Sequence, residues 1–590
     1  MNVVGISAFF HESACCLLRD GHLIAAAEEE RFSRVKHDPR LPVSAFRFCL
    51  ERAGLGILDL DAVAYYEWPV KKLSRQLWAG APEGAPPGFP WLDPGQPERA
   101  IREGLGWEGP LYFYDHHLSH AASAFYYSGF PEAAILTVDG VGEWATTTYG
   151  QGQGSKIELF EEVEFPHSLG LLYSALTAYL GFEVNDGEYK VMGLAPYGEP
   201  RFVDAVQKLV QPGENGQYQL DLRYFDFLRG RRMFSDDLIR LFGAPPRERE
   251  SEIAPFHKDV ARSLQVVLEE ILLEKARYLH ETTGARDLCM AGGVALNVVA
   301  NGRILRESPF ERLFVQPAAG DSGGCLGAAA LAHVELTGER PKTQPLRHVC
   351  LGPSSKADEI AGLITATGLP ALDFRGREAD LLEAVVDRLV RGEVVGWFHG
   401  AMEFGPRALG ARSLLADPRD PGMRDRLNRL VKKREAFRPF APSVLAAHAS
   451  EHFDLDHPSP FMLETCQVTS PLDLPAITHV DGSARPQTVD PEVSPRYAAL
   501  LEAFRRRTGC PILVNTSFNV RGEPIVASPV DALFCLGSSG IDVLVLEDFV
   551  IDRTELPSNW SDLLPAWRER QRSPFARGRS AISEDLYTFV

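Results

Sequence analysis

Twice within its first 165 residues the chain lays out three short strand-like segments around a glycine-bearing turn. The first set is NVVGIS, ACCLL and HLIAAAEEERF, the last two joined through Asp20-Gly21; the second is AAILTVDGVG, EWATTTYGQ and KIELFEEVEF across a Gly-rich turn. Asp-Gly between such segments reads as a hairpin, because these turns demand the positive φ that Gly adopts freely. Two halves that open on the same meander predict a duplicated α/β domain of the kind that closes over a nucleotide.

Between residues 254 and 283 the apolar positions Val260, Leu264, Val267, Ile271 and Leu272 keep helical spacing, with Gly284 as the C-cap. DLCMAGGVALNVVANGRIL reads as a strand ending at Gly292-Gly293 and feeding a helix, a corner whose backbone amides can face phosphate or ribose. AAGDSGGCLGAAALA has the same shape. The stretch TGERPKTQPL, residues 337 to 346, carries two prolines and no periodicity, and marks a domain boundary between 345 and 346. Beyond it VVGWFHG and PILVNTSFNV read as strands around a densely basic middle. GAPEGAPPGFPWLDPGQP, residues 80 to 97, is too rich in Pro and Gly for a core element and reads as an inserted surface loop.

At 590 residues and 45% hydrophobic composition the chain can bury several cores. Eighty acidic against 61 basic side chains give a net charge of −19, which argues against nucleic acid or an anionic membrane as partner. Nine scattered cysteines without a CxxC spacing read as reduced core residues. The N-terminal apolar run has no basic flank and no apolar stretch reaches about 18 residues, so the expectation is a soluble cytoplasmic protein.

In DHHLSHAASAF, His116 and His120 stand four apart and share one face of a helix, which suits either a metal clip or a pair of capping residues. Asp139, closing ILTVDG, and Asp321, in AAGDSGG, sit where carboxylates reach a nucleotide's phosphates or merely form Asx turns before Gly. Imidazole and carboxylate ligands together fit Fe(II), Mn or Zn rather than Ca.

The order HHxSHA, TxDGxGE, YKVMGLAPYG, GGVALN and GDSGG, then FGPRALGARS, REAFRPFAPSV and NTSFNVRGEP, resembles the NodU/CmcH family of O-carbamoyltransferases over nearly the whole chain. The resemblance implies an α/β fold: a duplicated actin-like (ASKHA) domain at 1–345 followed by a YrdC-like domain at 346–590. It implies that carbamoyl phosphate and ATP (with Mg) yield a carbamoyladenylate, from which the first domain carbamoylates a hydroxyl of a small natural product. His116, His120, Asp139 and Asp321 would hold the metal, with iron implied. His11 in AFFHESA and Lys36 in RVKHD are the implied catalytic residues, and His suits proton removal near neutrality. Carbamoyl phosphate is a small dianion that calls for several guanidinium forks. Arg407, Arg412, Lys432, Arg438 and Arg485 match the family there, and Asn515, Ser517 and Arg521 add further donors. For the nucleotide the candidates are Lys190, Gly292, Gly293, Asn297 and Gly323. A threonylcarbamoyl transferase acting on tRNA, an actin-like small-molecule kinase and a nucleotide-gated scaffold are the alternatives; the acceptor and the oligomeric state, a homodimer among the options, stay open.

Overall fold

The computed structural model describes residues 1–80, 92–432, 434–557, 560 and 562. Most of the predicted Pro/Gly-rich surface loop, 81 to 91, lies outside these. The described chain forms two compact units. The first holds residues 1–29 and 37–346. The second holds 30–36 and the described residues from 347 to 562.

In the first unit β1 (Asn2–Ser7), β2 (Ala14–Arg19) and β3 (His22–Glu28) form an antiparallel meander, and β4 (Ala62–Tyr65) and β5 (Leu111–Phe113) add on in parallel, giving the order β3-β2-β1-β4-β5. Asp20 and Gly21 carry φ of 51° and 79° at the predicted turn, the paired positive values of a tight hairpin. The second half repeats the plan: β6 (Glu132–Val138), β7 (Ala145–Gln153) and β8 (Lys156–Glu164) form the meander. After the small ribbon of β9 (Val210–Pro212) and β10 (Tyr218–Leu220), β11 (Asp287–Ala291) and β12 (Arg312–Val315) complete the order β12-β11-β6-β7-β8. Identical strand order in both halves is the duplicated actin-like fold. The central strands β1, β6 and β11 are buried almost throughout, as strands covered on both faces must be, whereas β8 alternates and carries its charges outward at the sheet edge.

Small residues set the spacing of the elements that carry the site. The helix Asp321–Thr337 packs so closely that a Cβ on Gly5 would lie 1.9 Å from the Cys325 carbonyl oxygen, and one on Gly327 would lie 1.8 Å from that of Ser119. The run SGGCLGAAA is therefore a packing surface that brings Asp321 up to the helix His116–Ser128. Gly327→Ala should force these helices apart and destabilise the fold by about 1–3 kcal/mol in denaturant titrations. The helix Pro255–Thr283 spans the predicted segment, and Gly284 caps it at φ 64°.

The second unit is built on an eight-stranded mixed sheet in the order β13-β22-β21-β14-β15-β20-β16-β19. Its strands are β13 (Leu372–Asp373), β14 (Val395–Phe398), β15 (Arg412–Ala416), β16 (Ala441–Leu445), β19 (Gln487–Val489), β20 (Ile512–Ser517), β21 (Val543–Leu546) and β22 (Phe549–Asp552), while β17 (Cys466–Gln467) and β18 (Ser483–Ala484) pair separately. Its core includes Trp397, Leu414, Leu513 and Val545. The early segment Glu30–Lys36 is tied into this unit: Arg31 donates to the Gly405 carbonyl at 2.9 Å, and Arg34 to those of Ile525 and Pro524 at 2.6 and 2.9 Å. Among the described residues no helix is long and apolar enough to cross a membrane.

Candidate active site

Helical spacing brings His116 and His120 onto one face, with ring centroids 4.6 Å apart. Asp139 arrives from the end of β6 and Asp321 from the first turn of its helix. His116 Nε2 lies 3.1 Å from Asp139 Oδ2 and 3.6 Å from Asp321 Oδ1; His120 Nε2 lies 3.4 and 3.9 Å from the same atoms. All four residues are buried, and their ligand atoms fall within 4.8 Å of one another. Burial works against a charge on His116, but its bond to Asp139 and the charge of Asp321 push it up to about 9. Burial pushes Asp321 well above the carboxylate range, with Asp139 and Glu12 adding to it. Burial and the charge of His116 lower His120. Asp139 is held well below its usual value by His116 and His120 despite burial.

The residues fit a metal. Two imidazole nitrogens and two carboxylate oxygens converge in a buried space, and Asp321 Oδ2 has no hydrogen-bond partner among the described residues. Such a donor set suits a transition metal with open positions. Supporting bonds fix the ligands: the Gly293 amide donates to Asp139 Oδ1 at 2.8 Å, and Glu143 accepts from the His116 amide at 2.9 Å and the Trp68 amide at 2.7 Å. Glu143, itself pushed up to about 7 by burial, was not singled out from the sequence. His117 turns away from the cluster, with Nδ1 2.6 Å from Thr137 Oγ1.

His11 lies beside this cluster through Glu12, whose Oε2 would be 3.2 Å from a Cβ on Gly320. The His11 and His37 rings stack at 4.3 Å, and Glu12 Oε1 lies 3.8 Å from His11 Nδ1 and 3.3 Å from His37 Nδ1. His37 Nε2 in turn lies 3.6 Å from Asp186 Oδ1, and Lys190 Nζ donates to Asp186 Oδ2 at 3.3 Å. Three of these donors, His11, Glu12 and His37, also have metal-ligating geometry. Phe9, Glu12 and His37 all hold φ between 54° and 71°, and non-glycine residues in this region concentrate at functional loops. Glu12, His37 and Asp186 carry no periodic signal in the sequence. Glu12 and His37 are marked by adjacency to His11 and Lys36 in HES and KHD, and Asp186 by its place four residues before Lys190.

The other nucleotide candidates are placed by packing. Gly292 has φ 94°, and a Cβ there would lie 2.3 Å from the Val138 carbonyl oxygen; one on Gly323 would lie 2.1 Å from that of Ala318. Asn297 caps the helix Val298–Glu307 by accepting from the Ala300 amide, and pairs with Gln265.

In the second unit a group of cations face one another. Arg485 is pushed well below the guanidinium range by burial and by the charges of Arg407, Arg434 and Arg438; Lys432 is lowered by burial and by Arg434, Arg438 and Lys36. An anion among them would relieve this repulsion. Lys432 Nζ donates to the Ser517 carbonyl at 2.8 Å and to Ser517 Oγ at 3.1 Å, which ties that hydroxyl to the cluster. Arg434 belongs to it as well, though the sequence reading passed over it within the run KKREAFR. Arg412 is used differently. Fully buried, it donates to the carbonyls of His399, Ala411, Pro353 and Gly400, all near 3.0–3.1 Å, and so braces the loop ahead of β15. Asn515 is likewise interior, donating to Ser443 and Gln487, and Arg521 sits on an exposed turn.

The first unit carries a duplicated strand order with a buried histidine–carboxylate cluster, and the second brings Arg407, Arg434, Arg438 and Arg485 near enough to repel one another. Family models describe the chain at both ends: "Carbamoyltransferase N-terminus" matches residues 2–81 and 106–330, and "Carbamoyltransferase C-terminus" matches 386–553. The chain is 44% identical to the uncharacterized protein sll1178 of Synechocystis, over 96% of this chain and 99% of that one. It is 40% identical to the nodulation protein NolNO of Sinorhizobium fredii, over 94% and 81%. It is 29% identical to the 3'-hydroxymethylcephem-O-carbamoyltransferase of Amycolatopsis lactamdurans, over 92% and 98%. The chain belongs to the carbamoyltransferase family, as its motif order anticipated.

Proposed function

We propose that the enzyme carbamoylates a hydroxyl of a small molecule, taking the carbamoyl group from carbamoyl phosphate through an ATP-derived carbamoyladenylate. The observation that carries this reading is the set of mutually repelling cations around Arg485, in a chain whose net charge is −19. Charge-assisted bonds contribute roughly 1.5–3 kcal/mol each, so three or four of them hold a dianion against its desolvation cost. Arg407, Arg434, Arg438, Arg485 and Lys36 are the ligands assigned to carbamoyl phosphate, with Lys432 and Ser517 at their edge. Water hydrolyses carbamoyl phosphate to carbamate and inorganic phosphate, and a carbamate oxygen then displaces pyrophosphate from the α-phosphorus of ATP.

In the transfer step the acceptor oxygen bonds to the carbamoyl carbon, AMP leaves, and His11 takes the hydroxyl proton. Glu12 and His37 hold the His11 ring against rotation. Lys190 and the glycine corner at Gly292 and Gly293 face the nucleotide. His116, His120, Asp139 and Asp321 would hold the divalent metal, iron by family resemblance, which supplies positive charge for phosphate or carbonyl oxygens.

The division of labour is tested by Arg438→Ala. With carbamoyl phosphate as donor, turnover should fall by roughly a hundredfold, equivalent to about 2.7 kcal/mol, while chemically supplied carbamoyladenylate is still consumed at near the wild-type rate. Equal loss with both donors refutes the assignment. Carbamoyl-phosphate-dependent release of pyrophosphate and AMP, followed by mass spectrometry of the products, tests the reaction as a whole.

A further inference from the structure

Apart from the four buried ligands, the first unit carries a second group of metal-type donors, and it is built differently. His11, Glu12 and His37 each offer one ligand atom, and the three atoms lie within 4.8 Å of one another. Their side chains are 22%, 24% and 20% exposed, whereas those of His116 and His120 are 1% and 0% exposed. A sealed cluster keeps its ion, and an open one exchanges it with solvent.

Glu12 Oε1 stands 3.8 Å from His11 Nδ1 and 3.3 Å from His37 Nδ1. Both separations are long for a charge-assisted hydrogen bond of about 2.7–2.9 Å. They bracket the edge of a ligand tetrahedron, about 3.4 Å for donors about 2.1 Å from zinc. Asp186 Oδ1 lies 3.6 Å from His37 Nε2, on the far side of the ring, where an outer carboxylate orients a ligating imidazole and raises its basicity. The backbone holds the two segments in register before any ion arrives: the Phe9 amide donates to the Pro39 carbonyl at 2.7 Å, and the Ser13 amide and hydroxyl both donate to the Asp38 carbonyl, at 3.0 and 2.7 Å. Donors fixed in this way lose little freedom on binding.

We propose that His11, Glu12 and His37 bind an exchangeable zinc ion, separate from the ion of the four buried residues, and that it shuts off carbamoyl transfer. The inhibition, though not the binding, rests on the transfer reading above. Two imidazoles and one carboxylate select zinc over magnesium, which takes oxygen ligands in an octahedron. Water fills the fourth position. Once His11 Nδ1 is given to the ion, Nε2 carries the ring's remaining proton, so the imidazole has no lone pair left to take a proton from an acceptor hydroxyl. The stack adds to this effect. Rings tilted by only 26° aim their lone pairs side by side, so they must splay to meet at one ion, which takes His11 out of the posture that the stack on His37 enforces.

The test is titration of the full-length protein with zinc against a chromophoric chelator, with total ion content read by elemental analysis. Two divalent ions per chain are expected in the wild type, whatever the resident metal. In His37→Asn and in Glu12→Gln the affinity for the second ion should fall more than about a hundredfold, beyond the loss of an outer partner. Asn is at home at the φ of 54° that His37 holds, and Gln keeps the size of Glu without its charge; should one variant fail to fold, the other decides. His120→Ala should lose the other ion and keep this one. A single ion in the wild type, a second ion that survives either substitution, or equal competition by magnesium overturns the site. Zinc added to the wild type should also arrest transfer from supplied carbamoyladenylate, and chelator should restore it. If zinc fills the site and transfer continues, His11→Asn decides which statement fails: a variant that cannot transfer sinks the inhibition alone, and one that transfers normally removes His11 as the base. Ion counting reads no turnover, so failure of the site leaves the carbamoyl chemistry standing.

Discussion

His120→Ala should remove the bound metal and abolish carbamoyl transfer while leaving most of the fold in place. One of four convergent donors disappears, and the remaining three cannot enclose a cation in the same way. Loss of outer partners alone costs 10–100-fold in metal affinity, so loss of a ligand should exceed about a hundredfold. The helix that carries the residue is anchored independently: Glu143 accepts from the His116 amide, and Ser123 Oγ bonds to the His120 carbonyl, which the substitution leaves intact. Truncating a fully buried imidazole leaves a small cavity, a destabilisation of the order of 1–3 kcal/mol. Elemental analysis together with circular dichroism separates the outcomes. Stoichiometric metal in a folded His120→Ala protein would show that these four residues are not the ligand set, whereas an unfolded variant moves the question to Asp321→Asn, which keeps size and removes the charge.

What the sequence disclosed about this site follows from how local each signal is. His116 and His120 were legible because spacing of four is enough to bring two side chains together on a helix. The hairpin at Asp20-Gly21 and the C-cap at Gly284 were legible for the same reason, each being written within a few residues. Arg412 shows the opposite case: within GPRALGARS it looks like its neighbour Arg407, yet only long-range packing decides that one is spent on four backbone carbonyls and the other faces a cation cluster. Asn515 is similar, since its place on β20 points it into Ser443 and Gln487. The membership of Glu30–Lys36 in the second unit is a property of topology, because nothing in ERFSRVK distinguishes it from the end of β3. Glu12, His37 and Asp186 meet from three separate segments, so no pattern in the chain could join them before it folds.

His11→Asn should collapse acceptor carbamoylation while leaving metal content and nucleotide affinity near those of the wild type. Asn keeps hydrogen-bonding capacity at similar size but cannot titrate near neutrality, so it isolates the proton role. Losing a general base costs about 10²–10⁴ in rate, or roughly 3–5 kcal/mol of barrier. The geometry makes the substitution a fair one: His11 is only partly buried, stacks on His37 and stands 3.8 Å from Glu12, so Asn fits without strain in a loop that already tolerates φ of 71° at Phe9 and 55° at Glu12. Adenylate formation from carbamoyl phosphate should continue, since the cations assigned above to the donor belong to the second unit. If His11 merely shapes the turn, Asn is a good turn residue and should be nearly harmless. Acceptor turnover measured beside ATP affinity by calorimetry decides between these: near-normal turnover removes His11 from the chemistry, and lost ATP binding reassigns it to the nucleotide site. Glu12→Gln supplies the second arm. If Glu12 positions the His11 ring, kcat should fall in Glu12→Gln while the acceptor KM stays constant; an unchanged kcat would leave Glu12 outside the transfer step.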